Sequence, residues 1–496
     1  MNRSALSLIG VTAALAAVTG IATLTGAGTP EAAPAASAAR LPVERSTLTC
    51  PAPSDSDFAT TTYTSFTPKD DAAGSSGSTG SARLLPAAGQ DGKAPKGKPK
   101  PVAPLKEPGK PVTATTGNSS APALIGTADG ALAPGWTVQQ TTVIDAGPAR
   151  AVLGTSCAVP DSEFWFPAVS TAGTRQDYVH LTNPDDNSAV VDLELYGPKG
   201  QIKTETGDGI TVPPGASVPV LLSTLTPEKT DGLTLHVSAR SGRVGATVEA
   251  LDSKAGGDWL AASADPSDTL VMPGIPADAT SVQLVVFATG DDDADLKVRL
   301  AASAGDITPA GHETVHVKSG MTTSVDLGDV TKGEAGSLVL TPSGTTGSAP
   351  VVAALRIARG KGAGQETAFL PATAPVGDRA TVADNRTKGS TLALTALTSD
   401  ATVKVTTSAS TAGGEPVGKT LSVKAGTTVV LSPPDPSAGK GTYAVTVQPT
   451  SGGPVYASRT LELPKDGVPM FTVQPMPDDR GLVAVPASRE DFSILN

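Results

Sequence analysis

The feature that most constrains the fold is a pair of short apolar segments joined by a turn at a glycine, which occurs three times. The copies read ITVPPGASVPVLL at 210–222, VHVKSGMTTSVDL at 315–327 and LSVKAGTTVVLSP at 421–433. Their turn glycines, Gly215, Gly320 and Gly426, recur at intervals of 105 and 106 residues. Apolar residues alternate with polar ones on both sides of each glycine, which is the period of a half-buried strand. The chain therefore contains three copies of one β unit.

The composition agrees with an all-β fold. Only 3% of the residues are aromatic, whereas 53 glycines and 43 prolines interrupt segments rich in valine and threonine. Valine and threonine favour pleated strands, and frequent turn residues favour a series of sandwiches. We predict three tandem Ig-like sandwich domains of about 105 residues each, at 161–266, 267–366 and 367–490. Because the paired cysteines and core tryptophan of true Ig domains are absent from these units, only the general Ig-like class is predicted.

Residues 39–160 are predicted to form a separate N-terminal β region. Two stretches within it, 60–66 and 135–144, have the composition of strands. Between them lies a low-complexity insert, residues 69–111, which is rich in Pro, Lys and Gly and is predicted to be disordered. Its lysine segment, Lys93–Lys110, carries repeated prolines that favour extended polyproline II.

Residues 1–38 have the properties of an export signal. Arg3 precedes an uncharged apolar stretch, and Ala36-Ser37-Ala38 is typical of a cleavage site, which predicts a mature chain starting at Ala39. The apolar stretch is long, so an uncleaved signal anchor remains an alternative. Either form places the body of the protein outside the cytoplasm.

The net charge of the chain, −11, argues against nucleic-acid binding.

The chain has two cysteines, Cys50 and Cys157. An even number of cysteines in an exported protein predicts one disulfide bond. Two free thiols are the alternative. No CxxC spacing is present, so the sequence supports neither a redox motif nor a zinc knuckle.

The region around the first repeat resembles a known family. The stretch Cys157-x-x-Pro160, the aromatic cluster Phe164-Trp165-Phe166 and the turn Leu181-Thr182-Asn183-Pro184 are similar to an actinobacterial secreted family catalogued as domain of unknown function 5719. The resemblance implies export and a cell-envelope setting. It implies no activity, ligand or catalytic residue.

One motif suggests catalysis. His312, Glu313 and His316 match HExxH, which binds zinc when a helix places both histidines on one face. Here Pro309 and Gly311 precede the motif, and Val315 begins a predicted strand. Four residues along a strand span about 13 Å, too far for both histidines to bind one zinc. We therefore interpret the match as coincidental and predict no metal site, no catalytic residue and no cofactor.

Three other features have weaker functional interpretations. The acidic run 291–295 could bind calcium but lacks the pattern of an EF-hand loop, so a solvated turn is favoured. The aromatic residues Trp136, Phe164–Phe166 and Trp259 could stack on sugars, but burial between domains is favoured. The lysine segment could attract anionic wall polymers, with a plain solvated linker as the alternative.

The sequence thus favours an exported, non-enzymatic cell-envelope protein that acts as a structural spacer or a surface-presenting scaffold. A glycan-binding or wall-polymer-binding module is the alternative, and a zinc hydrolase a remote one. The expected partners are wall polymers or envelope proteins. Membrane contact is expected only through an uncleaved N-terminal segment.

Overall fold

The computed structural model describes residues 39–485, except for 70–79, 94–96, 148–149, 345–348 and 437–439. Within these residues the chain is all-β, with 36 strands, three short 3-10 turns and no α-helix. The predicted signal segment, 1–38, lies outside the described residues, as does most of the GSSGSTG stretch. Strands β1 (Ala39–Pro42) and β36 (Leu482–Val485) form a two-stranded sheet of their own. Residues 42–482 form one compact unit.

This unit consists of four sandwiches, each made of two sheets. The N-terminal one, here called the N sandwich, contains eight strands and one 3-10 turn: β2 (Arg45–Cys50), β3 (Ala59–Phe66), β4 (Ala82–Pro86), β5 (Val102–Leu105), β6 (Val112–Thr116), β7 (Leu124–Asp129), η1 (Gly130–Leu132), β8 (Thr137–Ile144) and β9 (Ala151–Ser156).

The three repeats form the other sandwiches. Repeat sandwich 1 contains β10 (Glu163–Val169), β11 (Arg175–Thr182), β12 (Ala189–Gly197), β13 (Gly200–Ile202), β14 (Ile210–Val212), β15 (Ser217–Leu221), η2 (Leu222–Thr224), β16 (Leu233–Ser241), β17 (Gly245–Asp252) and β18 (Gly256–Leu260). Repeat sandwich 2 contains β19 (Leu270–Ile275), β20 (Ala279–Ala288), β21 (Ala294–Ala302), β22 (Gly305–Ile307), β23 (Thr314–Val317), β24 (Thr322–Asp326), β25 (Gly336–Pro342), β26 (Val351–Arg359), η3 (Gly362–Gly364) and β27 (Glu366–Pro371). Repeat sandwich 3 contains β28 (Ala380–Asn385), β29 (Ser390–Ala396), β30 (Ala401–Thr407), β31 (Val417–Val423), β32 (Thr427–Leu431), β33 (Tyr443–Gly452), β34 (Val455–Glu462) and β35 (Phe471–Pro475).

All four sandwiches share one topology. In the N sandwich the sheets have the strand orders β2-β7-β4-β5 and β6-β3-β8-β9, and repeat sandwich 3 has the same orders, β28-β33-β30-β31 and β32-β29-β34-β35. Repeat sandwiches 1 and 2 follow the same plan and add β14 and β23 beside β12 and β21. An Ig domain pairs its first strand with its second. Here β10 pairs with β16, so the Ig-like prediction holds only at the level of a two-sheet sandwich.

The structure differs from the predicted domain organisation in two further respects. The N-terminal region is a complete fourth copy, and the insert 69–111, predicted to be disordered, contains β4 and β5. The predicted boundary at residue 366 is too early, since β27 pairs with β26 and completes repeat sandwich 2. The pair Leu370-Pro371 lies in the last strand of repeat sandwich 2, whereas the similar pairs Phe166-Pro167 and Met272-Pro273 lie in first strands.

Alternating side chains build each core as the sequence predicts. In β12 every second residue is buried, and Val191, Leu193 and Leu195 are fully enclosed between the two sheets. Each such side chain contributes roughly 1.5–3 kcal/mol relative to exposure. The turn glycines Gly215, Gly320 and Gly426 all have φ between 62° and 69°. That left-handed conformation favours glycine, which explains the residue that marks each repeat.

The four sandwiches close into a ring. The first strand of each packs against the penultimate strand of the next: β2 on β17, β10 on β26, β19 on β34 and β28 on β8. The last strands β9, β18, β27 and β35 meet at the centre, each against its two neighbours. The final contact, β28 on β8, joins the last sandwich to the first.

Buried side chains fill the seams of the ring. Trp165 of repeat sandwich 1 stacks on Phe287 of repeat sandwich 2, with ring centroids 5.3 Å apart. Phe471 of repeat sandwich 3 packs into the core of repeat sandwich 2. At the closing seam, Phe66 packs on Ala383 and Ala444. A residue two positions after each turn glycine also bonds to the preceding sandwich: the Ser217 amide donates to Ala88 O, Thr322 Oγ1 to Tyr196 O and Thr428 Oγ1 to Ala301 O.

Candidate functional site

A cavity of about 630 Å³ lies at the ring axis, at the carboxyl ends of the four last strands. We call it the axial cavity. Residues of all four sandwiches line it, among them Gly154, Trp259, Phe369 and Gln474. The segments that follow the last strands complete its walls. Small-molecule sites commonly occupy 300–1,000 Å³ at domain junctions, which makes this cavity the candidate functional site.

The floor of the cavity contains polar side chains that are themselves enclosed. Trp259 is 2% exposed and Gln474 4% exposed, yet the indole Nε1 and both amide atoms have no hydrogen-bond partner among the described residues. The hydroxyl of Ser263, on the wall, also has none there. A buried polar group without a partner costs about 1–3 kcal/mol. These atoms are themselves inaccessible to solvent, so they are enclosed between strands and do not face the open space of the cavity.

Asp258 lies beside this floor and fixes two of the central strands. Its Oδ1 accepts hydrogen bonds from the amides of Gly154 and Trp259, both at 2.8 Å. Burial raises the pKa of this carboxyl well above its ordinary value, and the nearby Arg459 opposes the shift. Asp258 thus holds β9 against β18, and its chief role is positioning.

A second buried carboxyl, Glu366, opens β27. Burial raises the pKa of Glu366 to about 9, and the proximity of Asp258 adds to the rise. With a pKa of about 9, Glu366 is expected to be protonated at neutral pH. A Cβ at Gly256 would lie 2.4 Å from Glu366 Oε1, so only a glycine lets the two strands approach this closely.

The rim of the axial cavity is acidic. Five carboxylates and a single cation line it among the described residues: Asp161, Glu163, Asp265, Asp478, Asp479 and Arg480. Asp479 is neutralised by Arg379, whose Nε lies 2.6 Å from Oδ2. The remaining carboxylates still outnumber Arg480, so the rim attracts cations.

The HExxH residues do not contribute to this cavity. His312 lies in a turn, where its amide donates to Pro309 O, and His316 lies on β23. The ring of His316 contacts two carboxylates, with Nδ1 2.8 Å from Asp295 and Nε2 3.4 Å from Asp293. Among the described residues no group of three or more His, Cys, Asp or Glu side chains is placed to hold a metal ion.

The predicted disulfide between Cys50 and Cys157 is confirmed. It joins the end of β2 to the residue after β9, where the chain leaves for repeat sandwich 1. Disulfides persist in oxidising compartments, so the bond indicates an extracytoplasmic protein. No helix in the part of the chain that the structure describes is long and apolar enough to cross a bilayer.

The aromatic residues that could stack on sugars are buried. Trp136 lies in the core of the N sandwich, and its Nε1 donates to Ser65 Oγ at 2.9 Å. Trp165 and Trp259 lie in seams, the latter against Ile144 and Leu153. Phe164 and Phe166 belong to the core of repeat sandwich 1. These aromatic side chains thus lie in cores and seams. The lysines 98, 100, 106 and 110 of the lysine segment, in contrast, are exposed.

The sequence interpretation missed the residues of the axial cavity. The last strands GGDWL, ETAFLP and FTVQP are buried almost throughout. Strands buried on both faces usually read as near-continuous apolar runs, whereas FTVQP alternates apolar with polar residues and the other two strands each contain a carboxyl residue. The sequence therefore contains no periodicity that marks these strands as buried on both faces.

The chain was compared with curated proteins and with protein-family profiles. No curated protein matches it. The sequence profile of DUF5719, described as a family of unknown function, matches residues 112–434, from β6 of the N sandwich to just beyond β32 of repeat sandwich 3. That match covers more than half of the chain, which therefore belongs to the DUF5719 family.

Proposed function

We propose that this protein is an exported, non-enzymatic component of the cell envelope whose ring serves as a rigid scaffold that presents its outer surface. The observation that carries the proposal is the closure of four sandwiches at four buried seams. Domains joined by exposed linkers move independently. Domains locked by seams on two sides keep their loops in fixed relative positions.

A closed ring makes a different kind of scaffold from a linear row of domains. A row of sandwiches laid end to end would set a distance between two attachment points, as a spacer does. A ring that joins its first and last sandwiches instead holds its loops at fixed positions around one axis. We therefore favour surface presentation over spacing.

The test of the setting is cell fractionation combined with determination of the mature N-terminus. A chain beginning at Ala39 in the medium or the wall fraction supports export with cleavage. An intact Met1 in membranes supports the signal anchor. Recovery of the protein in the cytoplasm, with both cysteines reduced, contradicts the proposal.

A second candidate function is binding of anionic wall polymer through the lysine segment, whose described lysines are exposed. Deleting 69–111 would remove β4 and β5, so substitution is the sharper test. Gln in place of Lys98, Lys100, Lys106 and Lys110 should abolish salt-sensitive retention on purified anionic wall polymer. The matched control replaces four exposed lysines elsewhere, Lys199, Lys203, Lys254 and Lys388, by Gln. Equal retention of both variants contradicts this candidate.

The zinc hydrolase alternative is tested by the metal content of the purified protein. Because His316 contacts two carboxylates from a strand, we expect substoichiometric zinc that is unchanged by His312→Ala. Stoichiometric zinc lost in that variant would favour the hydrolase.

A further inference from the structure

We propose that a cleft at one side of the N sandwich binds the alkyl chain of an anionic, single-chain amphiphile of the fatty-acid type. The cleft lies between β5 and β6, which are edge strands of the two facing sheets, and we call it the edge cleft. The inference is independent of the scaffold role, since it concerns the interior of one sandwich. It rests on the lining of the cleft, the pairing of its edge strand and the lysines beside it.

The edge cleft is a largely apolar space of about 400 Å³, within the usual range of small-molecule sites. Its most enclosed residues, Tyr63, Ala103 and Leu124, are each 3% exposed. Among the described residues that line it none is charged, and four are prolines: Pro86, Pro101, Pro104 and Pro122. An alkyl chain gains free energy with each methylene that it buries against such a surface.

The edge of the N sandwich is less completely paired than its counterpart in repeat sandwich 3. Strand β5 pairs with β4 at only two positions, on either side of a bulge, whereas β31, which has the same place in the shared topology, pairs with β30 at seven. The cleft lies where the pairing of β5 is interrupted. Pro101 and Pro104 lack the amide hydrogens that an added peptide strand would need as donors, which favours an amphiphile over a peptide.

Positive charge lies beside the mouth of the edge cleft. Lys100 and Lys106 are exposed and flank the prolines of β5 in the sequence. Thr115 and Asn118 line the cleft and are also exposed, so its mouth is polar. Glu107 is the single carboxylate among the described residues of the lysine segment, which therefore stays positive in a chain whose net charge is −11. An anionic head group at the mouth is attracted by these lysines.

Isothermal titration of the purified protein with a series of fatty acids tests the apolar part of the site. The probes are butanoate, octanoate, decanoate and dodecanoate at neutral pH, each below its micelle concentration, because they share a carboxylate and differ in length. We expect saturable binding of decanoate, and an affinity that rises roughly fourfold with each methylene buried until the cleft is full. Affinity that does not depend on chain length overturns the proposal, and so does the absence of saturable binding of decanoate and dodecanoate.

A change of charge tests the head group. Gln in place of both Lys100 and Lys106 should weaken decanoate roughly three- to tenfold and should not weaken decyltrimethylammonium, which joins a similar chain to a cation. The matched control, with Gln in place of Lys199 and Lys203, should bind as the wild type does. Equal affinity of decanoate for the wild type and the Lys100 and Lys106 variant overturns the proposal, as does preference of the wild type for decyltrimethylammonium over decanoate.

A larger side chain inside the edge cleft tests its location. Ala114 lies on β6 opposite Tyr63 and lines the cleft, so Ala114→Phe should fill the space without a change of charge and weaken decanoate at least roughly tenfold. Val430→Phe adds bulk at a position 43% exposed on β32, which has the place of β6 in repeat sandwich 3, and is the matched control. Unchanged binding by a folded Ala114→Phe protein overturns the proposal. Where that variant does not fold, the chain-length series and the lysine variant decide.

Discussion

At one core position, a buried arginine distinguishes repeat sandwich 3 from the other three sandwiches. Arg459 occupies the position held by Gln140, Val248 and Leu355 in the other sandwiches, as the pairing of the neighbouring strands shows. It is fully buried, and burial lowers its pKa to about 10 despite the opposing charge of Asp384. Its Nη2 contacts Ala383 O, while its Nε and Nη1 have no hydrogen-bond partner among the described residues. Repeat sandwich 3 therefore carries the desolvation cost of a buried cation at a position where repeat sandwiches 1 and 2 have an apolar residue.

Arg459→Leu alone should destabilise the protein by up to about 3 kcal/mol, because the charge of the buried Asp384 is then opposed only by Arg386, 3.5 Å away. Adding Asp384→Asn should restore most of the stability, since Asn removes the charge and tolerates the φ of 56° at this position. Urea denaturation of both single variants and the double variant measures the coupling. Additive effects in that cycle would show that the two residues do not interact.

Glu366 makes the stability depend on pH in a defined direction. Its pKa is about 9 in the folded state against an ordinary 4.5. The folded protein therefore retains a proton that the unfolded chain loses above pH 4.5. The contribution of Glu366 is fully present below pH 4.5 and is lost as the pH rises toward 9.

We expect the wild type to lose up to about 2.7 kcal/mol of stability between pH 6 and pH 8 through this group. Glu366→Gln keeps the side chain neutral at every pH and should flatten the dependence by that amount. Urea midpoints at the two pH values, for wild type and variant, provide the measurement. The same slope in both proteins would place the titration elsewhere.

At the scale of elements, the disulfide stabilises the N sandwich at its exit. It joins residues 107 positions apart, a loop for which chain entropy gives at most about 4.7 kcal/mol. We expect Cys50→Ser with Cys157→Ser to lower the free energy of unfolding by about 2–4 kcal/mol. Reduction of the wild type should have the same effect. A reductant should not change the double variant, which has no cysteine left, and any change there would indicate an unrelated action of the reagent.

Elements with one solvated face could be predicted from the sequence, and elements in the seams could not. The alternation of Val191, Leu193 and Leu195 and the turn glycines predicted strands and repeats because the period records which face is buried. The N sandwich escaped detection as a fourth copy because its β4 and β5 are short and lie among prolines, lysines and glycines. The axial cavity escaped because Trp259 and Gln474 come from different sandwiches. Only closure of the ring brings them together, and no local pattern encodes that closure.

At the scale of the whole molecule, the ring follows from one contact rule applied four times. Each first strand meets the penultimate strand of the next sandwich, and repetition of that geometry returns the last sandwich to the first. Repeats that share one topology therefore form a closed ring without a dedicated closing element. The axial cavity results from the same arrangement, because the four last strands pack against one another at the centre of the ring and their residues line the cavity.

The seam between repeat sandwich 3 and the N sandwich should be sensitive to the truncation of a single side chain. Phe66 is 3% exposed and packs on Ala383 and Ala444 across this seam, whereas Phe58 is 61% exposed. Phe66→Ala removes a large buried side chain, which typically costs 3–5 kcal/mol, and Phe58→Ala is its matched control. We expect hydrogen exchange to accelerate in β28 and β8 of Phe66→Ala, and small-angle scattering to show a radius of gyration above the roughly 22 Å of a compact chain of this size. Unchanged exchange in β28 and β8 would mean that closure of the ring does not depend on the Phe66 contact. Faster exchange confined to those two strands would identify this seam as the point where the ring opens.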